Sequence, residues 1–317
     1  MTRIARTDLD VFPLALGGNV FGWTADRDES FAILDAFHAG GGDFIDTADA
    51  YSAWVPGHTG GESERIVGAW LADRRPQGVT VATKVSQHPQ FRGLSATTVR
   101  AAAEASLERL GVEAIDLYFA HYDDAETPLE ETVAAFGQLV QDGLVRYTAV
   151  SNYSADRIRE WVRIARDLGV AEPVAIQPHY NLVHREIEAD IVPLASESGI
   201  GLVPYFSLAK GFLTGKYRST DAGDTAPSPR AAAAAQYATP QGLQILEVAG
   251  RIAAAHDVSI ASVALAWLRA KPTVIAPIAS ASKLSQVPDL LAGGTVDLTA
   301  AEVADLDDVS EWTPSDM

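Results

Sequence analysis

The chain has 317 residues, 47% of them hydrophobic, enough for a large core, and no cysteine, which excludes disulfides, thiolate catalysis and cysteine-ligated metal. A formal charge of −18 argues against a nucleic-acid binder, which needs a basic face to release counterions. No apolar run approaches the ~20 residues that span a bilayer, and the N-terminus MTRIARTDLDVF lacks the apolar stretch of a signal peptide, so a soluble cytoplasmic protein is expected, with no membrane partner. The acidity also sets a condition: an anionic ligand requires local cations or backbone N–H groups, and lysines occur only at 84, 210, 216, 271 and 283.

In chain order, short runs rich in β-branched and apolar residues predict strands at 14–18, 43–48, 79–85, 115–121, 145–151, 174–179, 201–206 and 273–278. Most are continuous apolar runs, as in a parallel sheet covered on both faces. Amphipathic helices are predicted between them, at 62–74, 95–111 and 154–169; the last two open on Ser and close on Gly. Eight strands alternating with helices predict a (β/α)8 TIM barrel, an α/β fold, as a single domain over 1–317. The cadence breaks after 201. A turn-rich stretch at 218–230 and two helices, at about 241–256 and 259–270, predict a long insertion between strands 7 and 8; a loop of this length, 218–239, is either a functional or mobile segment or a surface insert, and its ordering on a cofactor is left open.

Barrel active sites lie at the C-terminal rim of the strands. Asp46 ends the second predicted strand, Lys84 lies near the end of the third, His121 ends the fourth, and Tyr51 follows Asp46 by five residues. Each alone has an ordinary explanation: a turn cap, a loop aromatic, a satisfied core histidine. A lysine inside VTVATKV is costly to bury unless paired, and Asp46 on the adjacent strand is its natural partner. Together the four suit proton donation. A tyrosine donates poorly near its ordinary pKa of ~10, and a neighbouring ammonium is expected to lower that value. His121 would bond a substrate oxygen. Such a set protonates a carbonyl oxygen as charge develops on it; the hydride must come from a cofactor.

The motifs GGDFIDTADAYS with GESERIVGAWL, VATKV, SLERLGVEAIDLYFAH, VRYTAVSN, IQPHYNL, LAKGFLTGKY and APIASASKLSQ resemble the aldo-keto reductases, over about residues 12 to 291, and in particular the bacterial branch related to potassium-channel β subunits. The resemblance implies NADPH-dependent reduction of a small-molecule aldehyde or ketone, with the catalytic tetrad on Asp46, Tyr51, Lys84 and His121. It implies cofactor contacts from Gly18 and Asn19, and from Ser151, Asn152 and Gln177 at the nicotinamide. Tyr205 would stack on the ring, and Phe206, Leu208, Lys210, Gly211, Lys216 and Arg230 would lie near the pyrophosphate. Ser282 and Lys283 would face the 2′-phosphate and Gln286 the adenine, with Ser280 a further cofactor contact. The chain departs from the family where YSPL is common, reading Tyr205-Phe206-Ser207-Leu208, and where an adenine-binding asparagine is common, reading Leu290. Trp23, Trp54 and Tyr122, with Phe21 and Tyr153, are candidates for an aromatic substrate pocket. His58, His179 and the other rim groups show no metal spacing. Two rivals stand beside the reductase: a redox-sensing NADP(H)-binding regulatory subunit, and a barrel isomerase or lyase acting on sugar phosphates. Nothing in the pattern speaks to oligomeric state.

Overall fold

The computed structural model describes residues 1–217 and 231–312. Eight parallel strands curl into a TIM-barrel-like sheet: β1 (Ala15–Gly17), β2 (Phe44–Asp46), β3 (Thr80–Val85), β4 (Ile115–Ala120), β5 (Val145–Ser151), β6 (Ala175–Gln177), β7 (Gly201–Leu202) and β8 (Ile278–Ala279). Their order is β7-β6-β5-β4-β3-β2-β1-β8. The two ends of this row also meet. Leu202 N donates to Thr273 O and Ile275 N to Leu202 O, both at 2.8 Å, ahead of β8.

The last three strands are shorter than the apolar runs suggest. Pro178, Pro204 and Pro277 interrupt them, because proline has no N–H to give a ladder. The expected eighth strand at 273–278 is therefore split: Val274 forms an isolated bridge to Leu202, and regular pairing with β1 begins only at Ile278. There β1 and β8 approach closely. A Cβ on Gly17 would lie 2.5 Å from Ser280 Oγ, so a larger residue there would force Ser280 to shift.

Helices cover the outside: α1 (Arg27–Ala39), α2 (Glu62–Arg74), α3 (Ala96–Leu110), α4 (Leu129–Gln141), α5 (Ala155–Leu168) and α6 (Ile191–Ser198) follow the first six strands. The caps act as their residue types suggest. Ser95 Oγ accepts from Thr98 N and Ser154 Oγ from Arg157 N, while Gly111 and Gly169 end α3 and α5, both at φ +67°. Between β7 and β8 lie a 3-10 turn (Ala209–Thr214), α7 (Ala231–Ala235), α8 (Pro240–His256) and α9 (Ile260–Arg269); the expected turn-rich stretch 218–230, with Arg230, lies outside the described residues. α10 (Val287–Thr295) and α11 (Ala300–Val309) complete the chain. Among the described residues no single helix is long and apolar enough to cross a membrane.

The core has an inner and an outer part. Ala15, Phe44, Ala82, Leu117, Phe119, Ala149 and Val203 fill the inside of the sheet. An antiparallel pair of short N-terminal strands, Thr2–Arg3 and Asp10–Val11, adds Ile4, Leu9 and Val11 to this cluster. The outer cluster packs sheet against helices through Tyr118, Phe136, Trp161 and Trp267. Strand alternation thus sends one set of side chains inward and the other toward the helices.

Candidate active site

Lys84 projects inward from β3 and is wholly buried. An ammonium has three N–H groups, and all three are used: to Asp46 Oδ2 at 2.7 Å, to the Thr47 carbonyl at 2.7 Å and to the Tyr51 hydroxyl oxygen at 3.0 Å. Burial pushes the Lys84 ammonium down, and Asp46 opposes that shift. Asp46 is itself buried, and its other oxygen accepts from Gln177 Nε2 at 2.8 Å. Tyr51 is half-buried, with its hydroxyl 3.5 Å from Asp46 Oδ2, at the outer limit of a hydrogen bond. The phenol proton is therefore not locked inward.

The expectation that Lys84 would lower the Tyr51 pKa is not met. Burial, and then the negative charge of Asp46, hold the phenol well above its usual range, so Tyr51 is a neutral O–H donor. His121 follows β4, its ring 6.0 Å from that of Tyr51. Burial, reinforced by Lys84, pushes its imidazolium well down, so the ring is neutral; its buried Nδ1 has no hydrogen-bond partner. The structure thus brings the four expected residues into one cluster of hydrogen bonds and ring contacts.

Beside them lies a second polar array. Ser151 Oγ donates to the Gln177 carbonyl at 2.9 Å. Asn152, in left-handed backbone at φ +58°, donates from Nδ2 to the His121 carbonyl at 2.9 Å and to Ser151 Oγ at 3.0 Å. Tyr205 OH donates to Asn152 Oδ1 at 2.7 Å. After β7 the left-handed backbone is concentrated in Phe206, Ala209, Lys210 and Gly211. Such strain persists where the surroundings over-determine it, often at ligand sites. Lys210 Nζ lies 5.2 Å from the Phe206 ring, Leu208 is half-buried and Lys216 is exposed.

Near β8, Ser280 Oγ donates to Asn19 Oδ1 at 2.7 Å. Gly18 is wedged between its neighbours: its N–H bonds the Asp46 carbonyl and its carbonyl accepts from Ser63 Oγ. Gln286 turns inward, its Oε1 accepting from Ser282 N at 2.8 Å and Lys283 N at 3.2 Å. Leu290 packs in the outer core, not at a ligand surface.

The rim is aromatic. Trp54, Tyr122 and Phe206 are 52%, 44% and 41% exposed, and they are the exposed aromatic side chains among the described residues. Trp54 meets Tyr51 at 6.3 Å and Trp23 at 5.6 Å, and Tyr122 meets His121 at 5.0 Å. Phe21 and Tyr153 do not join this rim: both are buried, Phe21 in the outer core and Tyr153 against Trp161. His58 bonds the Ser52 carbonyl at 3.1 Å. Among the described residues no His, Asp or Glu cluster could hold a metal.

Three features escape sequence reasoning. Glu29 on α1 accepts from Leu284 N at 2.5 Å across 255 positions. Glu64, in the GESE run, accepts from Thr83 Oγ1 and Arg109 Nε, both at 2.6 Å, forming a buried ion pair behind β3. Asp49 is buried near them with neither carboxylate oxygen hydrogen-bonded; burial, and then Glu64, push its carboxyl well up. The glutamate of GESE was the one local signal for this layer.

The sequence model of the Aldo/keto reductase family matches residues 13–311. A probable voltage-gated potassium channel subunit beta of Oryza sativa subsp. japonica is 33% identical, covering 96% of this chain and 94% of that protein. An uncharacterized oxidoreductase of Bacillus subtilis is 32% identical, covering 97% and 95%. Norsolorinic acid reductase B of Dothistroma septosporum is 31% identical, covering 94% and 78%.

Proposed function

Because the chain belongs to the aldo/keto reductase family, we propose that it is an NADPH-dependent reductase of an aldehyde or ketone, built as a single (β/α)8 barrel and working in the cytoplasm. The observation that carries this reading is the Lys84–Asp46–Tyr51 cluster with the neutral His121 beside it.

The residues present fit a nicotinamide dinucleotide. A partly exposed aromatic face, Tyr205, adjoins the amide and hydroxyl groups of Asn152, Ser151 and Gln177, next to the tetrad. The left-handed run at 209–211 and the cations Lys210 and Lys216 supply what an anion needs in an acidic chain. On this reading Ser151, Asn152, Gln177 and Tyr205 hold the nicotinamide, with Gly18 and Asn19 near it. Phe206, Leu208, Lys210, Gly211 and Lys216 would flank the pyrophosphate; the contact expected of Arg230 falls outside the described residues. Ser280, Ser282, Lys283 and Gln286 take the adenosine end. When bound, the cofactor supplies the hydride.

The chain's own groups handle the proton. Neutral His121 donates one N–H to the carbonyl oxygen and orients it. Tyr51 gives its proton to that oxygen as negative charge develops there. The resulting phenolate is met by the Lys84 N–H already directed at it, so no side chain must reorganise. Asp46 holds Lys84 in register, and Gln177 fixes Asp46. Trp23, Trp54 and Tyr122 wall the substrate entrance and limit water.

The test is NADPH oxidation with a panel of aldehydes, diketones and keto-sugars, beside Tyr51→Phe. That substitution is expected to lower kcat by about 10²–10⁴ while NADPH affinity stays unchanged. Wild-type turnover by Tyr51→Phe would remove the proposed acid. A second reading, an NADP(H)-sensing regulatory subunit, is favoured by the relative named as a potassium-channel β subunit. Tight NADPH binding with no turnover on any panel member would select it.

A further inference from the structure

Two histidines stand behind the Tyr205 ring. His179 follows β6 and Tyr205 follows β7; an isolated parallel bridge pairs them, and Tyr205 N donates to the Pro178 carbonyl at 2.9 Å. Their rings lie 5.4 Å apart and 17° from parallel. His179 is also stacked on His184, at 3.6 Å and 17°. Three rings are thus linked in series by near-parallel contacts: Tyr205 to His179 and His179 to His184.

The row is built by a tight turn. Asn181 and His184 exchange backbone hydrogen bonds, both at 3.1 Å, which folds His184 back over His179. The fully buried Asn181 ties this turn to the Tyr205 loop: its Nδ2 donates to the Phe206 carbonyl at 2.9 Å. Its Oδ1 accepts from Val183 N at 2.9 Å, which orients the amide. The same Nδ2 lies 3.3 Å from His179 Nε2, making that nitrogen an acceptor in a neutral ring.

The surroundings keep the pair uncharged. Lys210 acts on His179 from the loop after β7, where the Phe206 ring meets it edge-on at 5.4 Å. Glu186, 3.0 Å from His184 Nδ1, is the facing anion; it opposes the downward push of burial on His184 and raises the Tyr237 phenol. Burial, with His184 and Lys210 adding, pushes His179 down to about 3, and burial also pushes His184 down. Two imidazolium rings 3.6 Å apart would repel, so a close stack requires at least one neutral ring.

Tyr205 needs such a backing. Its hydroxyl is pinned at one point, by Asn152 Oδ1 at 2.7 Å. The ring also meets Phe206 edge-on, at 5.0 Å and 71°, and packs beside the inner core. His179 adds a near-parallel ring, at 17°; such a contact on one face restricts rotation about the long axis and leaves the opposite face for a ligand.

We propose that the His179–His184 stack is a positioning element for Tyr205, fixing the plane of the ring on which a nicotinamide lies. This rests on the reading of Tyr205 as the nicotinamide platform. His179 and His184 act only through Tyr205; neither is a catalytic residue.

The experiment compares two probes by calorimetric titration at pH 7.5: NADP+, and 2′-phospho-ADP-ribose, which lacks the nicotinamide. The ratio of the 2′-phospho-ADP-ribose dissociation constant to that of NADP+ isolates the nicotinamide contribution from the rest of the dinucleotide. His179→Ala is expected to reduce that ratio about three- to tenfold, the scale of one aromatic contact, with 2′-phospho-ADP-ribose binding unchanged. His179→Phe restores a ring and is expected to restore the ratio, which a merely structural loss would not do. His184→Ala serves if His179→Ala does not fold, and is expected to move the ratio in the same direction by less. Tyr205→Leu is the control. If it leaves the ratio unchanged, the platform reading fails and this inference with it. If it reduces the ratio while His179→Ala does not, or His179→Phe does not rescue, the positioning role alone is overturned.

Discussion

Lys84→Met is the most informative single perturbation of the tetrad. Methionine keeps the volume of the stem and removes the charge. Three hydrogen bonds disappear, at 2.7, 2.7 and 3.0 Å. Asp46 stays buried with Gln177 at 2.8 Å and the long Tyr51 contact at 3.5 Å as its side-chain donors. Breaking a buried ion pair from one side costs about 3–5 kcal/mol, because the other charge is stranded. The phenolate formed at Tyr51 also loses the one N–H directed at it, and removing a donor of this kind costs roughly 10²–10³ in kcat. The two losses separate in a double variant. Asp46→Asn with Lys84→Met removes the stranded carboxylate, so stability is expected to recover most of the lost 3–5 kcal/mol. Turnover is expected to stay low, because the donor to the phenolate is still absent. Urea unfolding gives the first quantity and single-turnover NADPH oxidation the second. Lys84→Met turning over within threefold of the wild type would refute the argument, as would a double variant that regains rate along with stability.

Other outcomes follow from the same geometry. Asp49 carries a carboxyl held up by burial and by Glu64. A raised folded pKa costs stability once the unfolded carboxyl ionises above ~3.9, so Asp49→Asn is expected to gain about 1.4 kcal/mol per pH unit above pH ~4, until the native carboxyl ionises; a flat difference in urea unfolding across pH 4–7 would contradict this. Glu29→Gln removes the carboxylate at Leu284 N and is expected to tighten NADPH relative to NADH roughly three- to tenfold in fluorescence titration. Trp54→Ala trims a half-exposed ring at the rim; unfolding stability is expected to stay within about 0.5 kcal/mol, with any effect confined to KM for bulky carbonyls.

Much of the site is legible along the chain because strand ends are local signals. Asp46 closes one apolar run and Lys84 nearly closes the next, and a barrel sends such ends to one rim. The caps Ser95 and Ser154 are equally local. The direction of the Tyr51 shift is not, because it depends on burial summed over the whole mouth and on a carboxylate that points at the hydroxyl. The exclusion of Phe21 and Tyr153 from the rim is decided the same way: both follow strand ends, but the packing of their loops turns them into the core.

By itself, the sequence determined the alternation of strands with helices, the caps at Ser95 and Ser154, and which reactive types stand at strand ends. Period, cap chemistry and proline position are properties of neighbouring residues, so they survive without a fold. Tertiary structure alone decided the pairings that make the site work. Gln177 fastens Asp46 across 131 positions, and Asn19 meets Ser280 across 261. His179 slides behind Tyr205, and Glu29 reaches Leu284. These contacts depend on how far the sheet curls and in which register its strands lie, and no local pattern encodes either.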